Sequence, residues 1–181
     1  MAGQSITTLV VKDHENIEQL LGRLDTVAAE KMEDYFCELR ETLVRHEVAE
    51  ELTLYPLVRS EVPGGDAVAN PRLSEQSKAE EKLQALEKMD ADAPTFIAEL
   101  TALRAEVLEH AAAEQREVLP VLEQHATADQ LEQAGERYAR AVRSAPTHPH
   151  PHAPDTPPGN LVMGPVAALA DRMRDAMSKA S

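Results

Sequence analysis

Between Thr7 and Gln124 apolar residues return every three or four positions, interrupted only by short breaks. That spacing is the period of an α-helix with one buried face. Four long helices are expected, over about Thr7 to Ala29, Glu33 to Val62, Pro71 to Met89 and Pro94 to Gln124. Their inward stripes are Val10, Ile17, Leu21, Leu24 and Ala28; Phe36, Leu39, Leu43, Leu54 and Leu57; Leu73, Ala79, Leu83 and Leu86; and Phe96, Leu100, Leu103, Val107, Val118 and Val121. "PGGD" (63–66) ends the second helix, and Asp92 in "DADAPT" (90–95) is the expected cap of the helix beginning at Pro94. Long helices joined by short loops favour an up-down-up-down four-helix bundle. Aromatic residues are only 3% of the chain, so its core must rest on Leu, Val, Ala and Met, which suits helices better than a sheet. Pro56 and Pro120, late in the second and fourth helices, are expected to kink them.

A fifth helix is expected from Ala128 to Arg143, with Leu131, Ala134, Tyr138 and Val142 as its stripe. The composition then changes. "SAPTHPHPHAPDTPPGN" (144–160) is rich in proline and histidine and reads as an extended linker. Its "HPHPH" (148–152) suits a stiff spacer better than the two alternatives, a surface metal site or a histidine laid over the mouth of the bundle. A last amphipathic helix, about Val162 to Met177, carries Val166, Leu169 and Met173 on one side and should pack on the bundle or on a second subunit. The division is therefore a bundle over 1–143, a linker over 144–160 and a C-terminal helix over 161–181.

Net charge narrows the partners. At −14 the chain offers no clustered basic face for nucleic acid or an anionic membrane. Cys37 is the only cysteine, so neither an internal disulfide nor a CxxC metal site can form. With no leader pattern and no apolar run of about 18 residues, the expectation is a soluble, cytoplasmic protein, monomeric or homodimeric.

The functional signal lies in the polar residues that fall on the apolar faces. With about 100° per residue, Glu50 is near the centre of its face and His46 about 40° away; Glu114 is central and His110 about 55° off. His14 lies about 60° from the centre of the first face; on the third helix Gln76 is central and Glu80 about 40° off. Glu18 follows His14 at the same spacing but sits about 100° away and should meet solvent. His125 lies beyond Pro120 near a helix end and is also left out. The inward residues recur about every thirty positions, which in an antiparallel bundle sets them at one height.

One inward histidine is ordinarily a hydrogen-bonded core residue. Three histidines, three glutamates and a glutamine together are different. Buried unpaired carboxylates are costly, and no Lys or Arg stands among the central inward positions. Multivalent cations satisfy the whole set. Three glutamates, two divalent ions and one hydroxide sum to zero charge, which favours a bridged pair of ions with Glu50 and Glu114 best centred to bridge. Histidine nitrogen with carboxylate oxygen suits iron or manganese, with zinc less favoured. Tyr55 is a secondary candidate: it points about 140° from the Glu50 face on an ideal wheel, and distortion at Pro56 could re-aim it.

At these residues the chain resembles the hemerythrin-like HHE cation-binding family. The resemblance rests on "KDHENI" (His14), "RHEVAEELTLYP" (His46, Glu50), "SEQSKAEEKL" (Gln76, Glu80) and "LEHAAAEQREVLP" (His110, Glu114), and it covers about residues 5–125. It implies a four-helix bundle holding a non-haem di-iron centre bridged by oxide or hydroxide. In it His14 and His46 would bind one iron, Glu80 and His110 the other, and Glu50 and Glu114 would bridge. It implies binding or reduction of dioxygen, peroxide or nitric oxide in oxidative or nitrosative stress, with catalase-like or oxidase turnover as the enzymatic form. Gln76 stands where the family usually carries a third-helix histidine, so it is expected as a hydrogen-bond donor or weak ligand. An oxygen-rich ligand set then implies ready autoxidation and poor reversible oxygen carriage. The alternatives are iron storage or a stress-response contact made through the C-terminal helix, and a helical scaffold without metal.

Overall fold

The structure, a computed structural model, describes residues 3–151 together with Ala168, Ala170 and Asp171. Its regular structure is all helical among these residues. Helix α1 spans Ile6–Gly22, and Ser5 caps it by accepting from the Thr8 amide at 3.2 Å. It stops short of the expected Ala29. The chain tightens into a 3₁₀ turn at Leu24–Thr26, where the Thr26 amide and hydroxyl both donate to the Arg23 carbonyl, and Ala28 is exposed.

The second rod is continuous, from α2 (Met32–Ala49) through a π turn (Glu50–Leu54) into α3 (Tyr55–Glu61). Gly64, at φ 72°, supplies the left-handed residue that reverses the chain. A Cβ on Gly65 would lie 2.3 Å from the Val58 carbonyl, so only glycine allows α3 and α4 to meet so closely. Helix α4 spans Gly65–Leu86, starting well before the expected Pro71, which lies inside it. One proline forfeits a single backbone bond near the helix start. The added turns are held by Arg59, which donates to Asp66 Oδ1 at 3.0 Å and Asn70 Oδ1 at 2.9 Å, and by Ala69, which is fully buried.

The fourth rod repeats the second: α5 (Pro94–Ala113), a π turn (Glu114–Val118) and α6 (Leu119–His125). Asp92 does not cap it. Ala93 occupies the cap position without a side-chain bond, while Asp90 Oδ1 accepts from the Asp92 amide at 3.0 Å to close the preceding turn. Helix α7 (Ala128–Ser144) begins with a Thr127–Gln130 capping box and packs on α1 and α2. A Cβ on Gly135 would lie 2.0 Å from the Gln4 carbonyl, so the N-terminal segment crosses α7 in direct backbone contact.

Both expected kinks take the form of π turns, each starting at a buried glutamate and ending two residues before a proline. The Tyr55 amide bonds the Glu50 carbonyl, and the Leu119 amide bonds the Glu114 carbonyl, one residue beyond the α spacing. Proline has no N–H to give and its ring collides with the carbonyl four residues back. The widened turn accommodates that collision.

The core lies in two apolar blocks. One gathers Ile17, Leu21, Leu39, Leu43, Leu83 and Leu100 with the crossed rings of Phe36 and Phe96. The other gathers Ile6, Val10, Leu54, Val58, Leu122 and Tyr138. In sequence His14 falls between Val10 and Ile17, His46 between Leu43 and Ala49, Gln76 between Leu73 and Ala79, and His110 between Val107 and Val118. Each rod therefore passes from one block to the other through a polar step, and the steps share one level, as the even spacing implies.

The start of the Pro/His segment is not a free spacer. Residues 145–149 are buried. Arg40 Nε donates to the Thr147 carbonyl at 3.1 Å, Asp171 Oδ2 accepts from the Thr147 and His148 amides at 3.1 and 3.0 Å, and His148 Nδ1 pairs with Glu87. The stripe Val166, Leu169 and Met173 lies outside the described residues. Among the described residues no helix is long and apolar enough to cross a membrane.

Candidate metal centre

His14 from α1, His46 from α2 and the glutamates that open the two π turns meet in the polar layer. Each of His14, His46, Glu50 and Glu114 offers a ligand atom within 4.8 Å of the others, and all four are buried. His14 Nε2 lies 3.1 Å from Glu114 Oε2 and 3.7 Å from Glu50 Oε1, and His46 Nε2 lies 3.3 Å from Glu50 Oε1. The His14 and His46 rings meet edge to face with centroids 4.9 Å apart. His110 adjoins the group, its Nε2 3.6 Å from Glu114 Oε1.

The outer nitrogens are held from behind. His46 Nδ1 is 2.9 Å from the Tyr138 hydroxyl, which donates to Asp13 Oδ2 at 2.7 Å. That leaves the hydroxyl oxygen to accept from His46 Nδ1–H, so Nε2 presents its lone pair inward. His110 Nδ1 is likewise 2.9 Å from Glu75 Oε2, and Arg72 holds the other oxygen of Glu75 at 3.0 Å. His14 Nδ1 meets the Gln115 amide at 3.1 Å. The carboxylates are also tethered. Gln76 Nε2 donates to Glu50 Oε2 at 2.6 Å, and the Tyr55 hydroxyl donates to Glu114 Oε1.

Tyr55 reaches the site because of the π turn. One extra residue in the turn rotates all that follows by about 100°, which brings Tyr55 from about 140° off the face to about 40°. Gln76 acts as the donor to Glu50 that its amide suggested. Glu80 is half-buried and outside the quartet; its charge is felt by Glu47. Glu18 is exposed, as expected, and His125 is exposed as well.

Sequence reasoning missed Glu47, Glu75, Asp13, Gln115 and the role of Tyr138. For Glu47 a signal was present: it lies about 60° from Glu50, as near its face as His14 is to its own. Tyr138 was visible only as an apolar stripe residue. Glu75 and Gln115 are sequence neighbours of inward residues at the margin of their faces, where an ideal wheel does not decide.

The electrostatics fit a cation. Burial and the neighbouring Glu114 charge push Glu50 up to about 8. Burial would raise Glu114, but the close His14 ring and the other nearby histidines overcome it and hold Glu114 down at about 2. Burial works against charge on His14, yet the close carboxylates of Glu114 and Glu50 raise it to about 9. His46 is driven well below its ordinary value by burial and by His14. Without an ion, protons on Glu50 and His14 thus stand in for positive charge among close carboxylates. His14 Nε2, Glu50 Oε1, Gln76 Oε1, His110 Nε2 and Glu114 Oε2 are all buried without a hydrogen-bond partner. Buried polar atoms rarely stay unpaired. Nitrogen and carboxylate donors left open in this way are what a metal ion requires.

Known proteins agree. Residues 5–122 match the Hemerythrin HHE cation binding domain. The chain is 32% identical over 138 residues to an uncharacterized hemerythrin-like protein of Schizosaccharomyces pombe, covering 76% of this chain and 68% of that one. It is 27% identical over 130 residues to a DNA nickase of Nostoc sp., covering 71% of this chain but only 36% of the nickase. A crystal structure of an HHE cation-binding-domain protein from Mycobacterium kansasii has the same fold, with a TM-score of 0.68, 20% identity and coverage of 77% of this chain and 86% of that one. On the residues 5–122 match and the yeast relative, the chain belongs to the hemerythrin HHE cation-binding family.

Proposed function

We infer that the protein is a non-haem di-iron protein that binds or reduces small oxidants (dioxygen, peroxide or nitric oxide) in an oxidative or nitrosative stress response. The observation that carries this reading is the buried quartet His14, His46, Glu50 and Glu114, with ligand atoms within 4.8 Å and inward atoms left unpaired. His14, His46, Glu50, Glu80, His110 and Glu114 are the ligands. Glu80 joins by a shift of its half-buried side chain toward the site. Two divalent ions with a hydroxide neutralise the three glutamates, whereas one ion leaves an anion in a low-dielectric interior.

Iron held by these residues would supply redox chemistry toward a small oxidant. The rest is done by the chain. Asp13 and Tyr138 fix the His46 ring, and Glu75 fixes that of His110. Gln76 and Tyr55 hold one oxygen each of Glu50 and Glu114, which limits how these carboxylates swing. Ile17, Leu43 and Val107 give the layer an apolar wall on the side of the first apolar block. Tyr55 holds its proton, since burial and the charges of Glu114 and Glu50 keep it well above the ordinary tyrosine value.

The test is to load metal-free protein with ferrous iron under anaerobic conditions and add peroxide, dioxygen or nitric oxide in turn. The expected result is a change in the optical spectrum with at least one of them, and slow or absent return to the starting spectrum on removing dioxygen. A loaded protein whose spectrum ignores all three would refute the reading.

A further inference from the structure

The two glutamates that open the π turns each divide their oxygens between two sides of the polar layer. His14 Nε2 and His46 Nε2 stand by Glu50 Oε1, at 3.7 and 3.3 Å, and His14 Nε2 stands by Glu114 Oε2 at 3.1 Å. The opposite oxygens meet other groups. Gln76 Nε2 donates to Glu50 Oε2, while His110 Nε2 and the Tyr55 hydroxyl stand at Glu114 Oε1. The first side is thus served by His14 and His46. The second has His110 Nε2 and Gln76 Oε1, both buried and without a hydrogen-bond partner.

The second side needs a carboxylate of its own. Glu80 is half-buried and reaches the layer only by moving. Glu47 is already inside. It is 4% exposed, its Oε2 is buried and unpartnered, and it lines the same cleft as Gln76 and His110. Its place on α2 decides which side it serves. At about 100° per residue, His46 lies about 40° to one side of Glu50 and Glu47 about 60° to the other. A Glu50 carboxylate that bridges therefore has His46 on its first side and Glu47 on its second. The charges of Glu80, Glu51, Glu50 and Glu114 all act on Glu47. A buried carboxylate among carboxylates calls for a cation.

We propose that Glu47 is a ligand of the second metal position, together with His110 and the bridging Glu50 and Glu114. The proposal deepens the di-iron reading and rests on it. It adds a protein ligand that needs no rearrangement, whereas Glu80 does. Four glutamates then face the pair, a charge that two ferric ions and one oxide neutralise.

The test is an anaerobic titration of metal-free full-length protein with ferrous iron against a chelator of known affinity, with bound iron counted after desalting. Wild type should take up two irons. Glu47→Gln keeps the size of the side chain and removes its charge. It should keep the first iron and bind the second at least about tenfold more weakly, since losing even a group that only supports a ligand costs about 10–100-fold. Its metal-free urea midpoint should not fall, because Oε2 has no hydrogen bond to lose. Glu47→Asp keeps the charge but draws the oxygens back by one carbon. A ligand is lost by that retreat and a mere neighbouring charge is not, so the second iron should weaken here too. This variant also covers the case in which the first misfolds. Glu80→Gln should weaken the second iron less than Glu47→Gln does. Unchanged binding of two irons in the folded Glu47 variants, or a larger loss in Glu80→Gln, overturns the proposal and leaves the di-iron reading standing. A wild type that takes up fewer than two irons overturns both.

Discussion

Glu50 and His14 set how the metal-free protein responds to pH. Glu50 is raised from 4.5 to about 8 and His14 from 6.5 to about 9. The folded chain therefore keeps protons that the unfolded chain has already lost, so stability falls as pH rises. Glu50 contributes to that fall from about 4.5 upward and His14 from about 6.5, until each passes its folded value. Between pH 6.5 and 8 both act, at about 1.4 kcal/mol per proton and pH unit. Denaturant midpoints of metal-free protein should drop across this window; a rise would contradict the assignment. Metal must displace the same protons, so its affinity should rise over the same range. Tyr55→Phe leaves Glu114 Oε1 without its donor. It should cost about 1–3 kcal/mol in urea unfolding of the metal-free protein, and no loss would show that the hydroxyl is not a needed partner. Glu50→Ala should lose most bound metal, and unchanged metal content would remove Glu50 from the site.

At the scale of elements, the helical period was legible because it repeats over many turns, and it placed His14, His46, Glu50, Gln76, His110 and Glu114 on buried or half-buried faces. An ideal wheel failed where the helix is not ideal. Tyr55 follows a π turn, and no period shows an added residue, although Pro56 marked the place. Glu80 was drawn inward by the same wheel, yet α4 carries it to the margin beside Glu47. The onset of α4 was hidden because Pro71 reads as a helix start when the Arg59 contacts are unseen. Helix α7 has a second role that no stripe could reveal, since Tyr138 joins Asp13 to His46. Tyr138→Phe should lower metal affinity about 10–100-fold, as losses of such supporting bonds do. A metal titration giving the wild-type value would reduce Tyr138 to packing. Gly135→Ala forces a Cβ to within 2.0 Å of the Gln4 carbonyl. It should cost about 1–3 kcal/mol as an overpacked contact, read from the thermal midpoint.

Across the whole molecule, two apolar blocks carry the fold, and the polar layer between them leaves buried polar atoms unpaired. Three rods deliver the histidines and glutamates to one level and α4 adds Gln76, while Tyr138 of α7 and Asp13 of α1 hold His46 from the side. The expected bundle and its fifth helix are present, and residues 145–149 pack against Arg40 of α2 and Glu87 at the end of α4. The net charge of −14 is thus partly a surface property and partly stored in a site that calls for cations. Metal binding to the folded chain alone should raise its stability with metal concentration. The central claim is tested most directly by the metal-to-protein ratio of the purified full-length chain. The account predicts two irons per chain; a metal-free protein, or one zinc per chain, would contradict it.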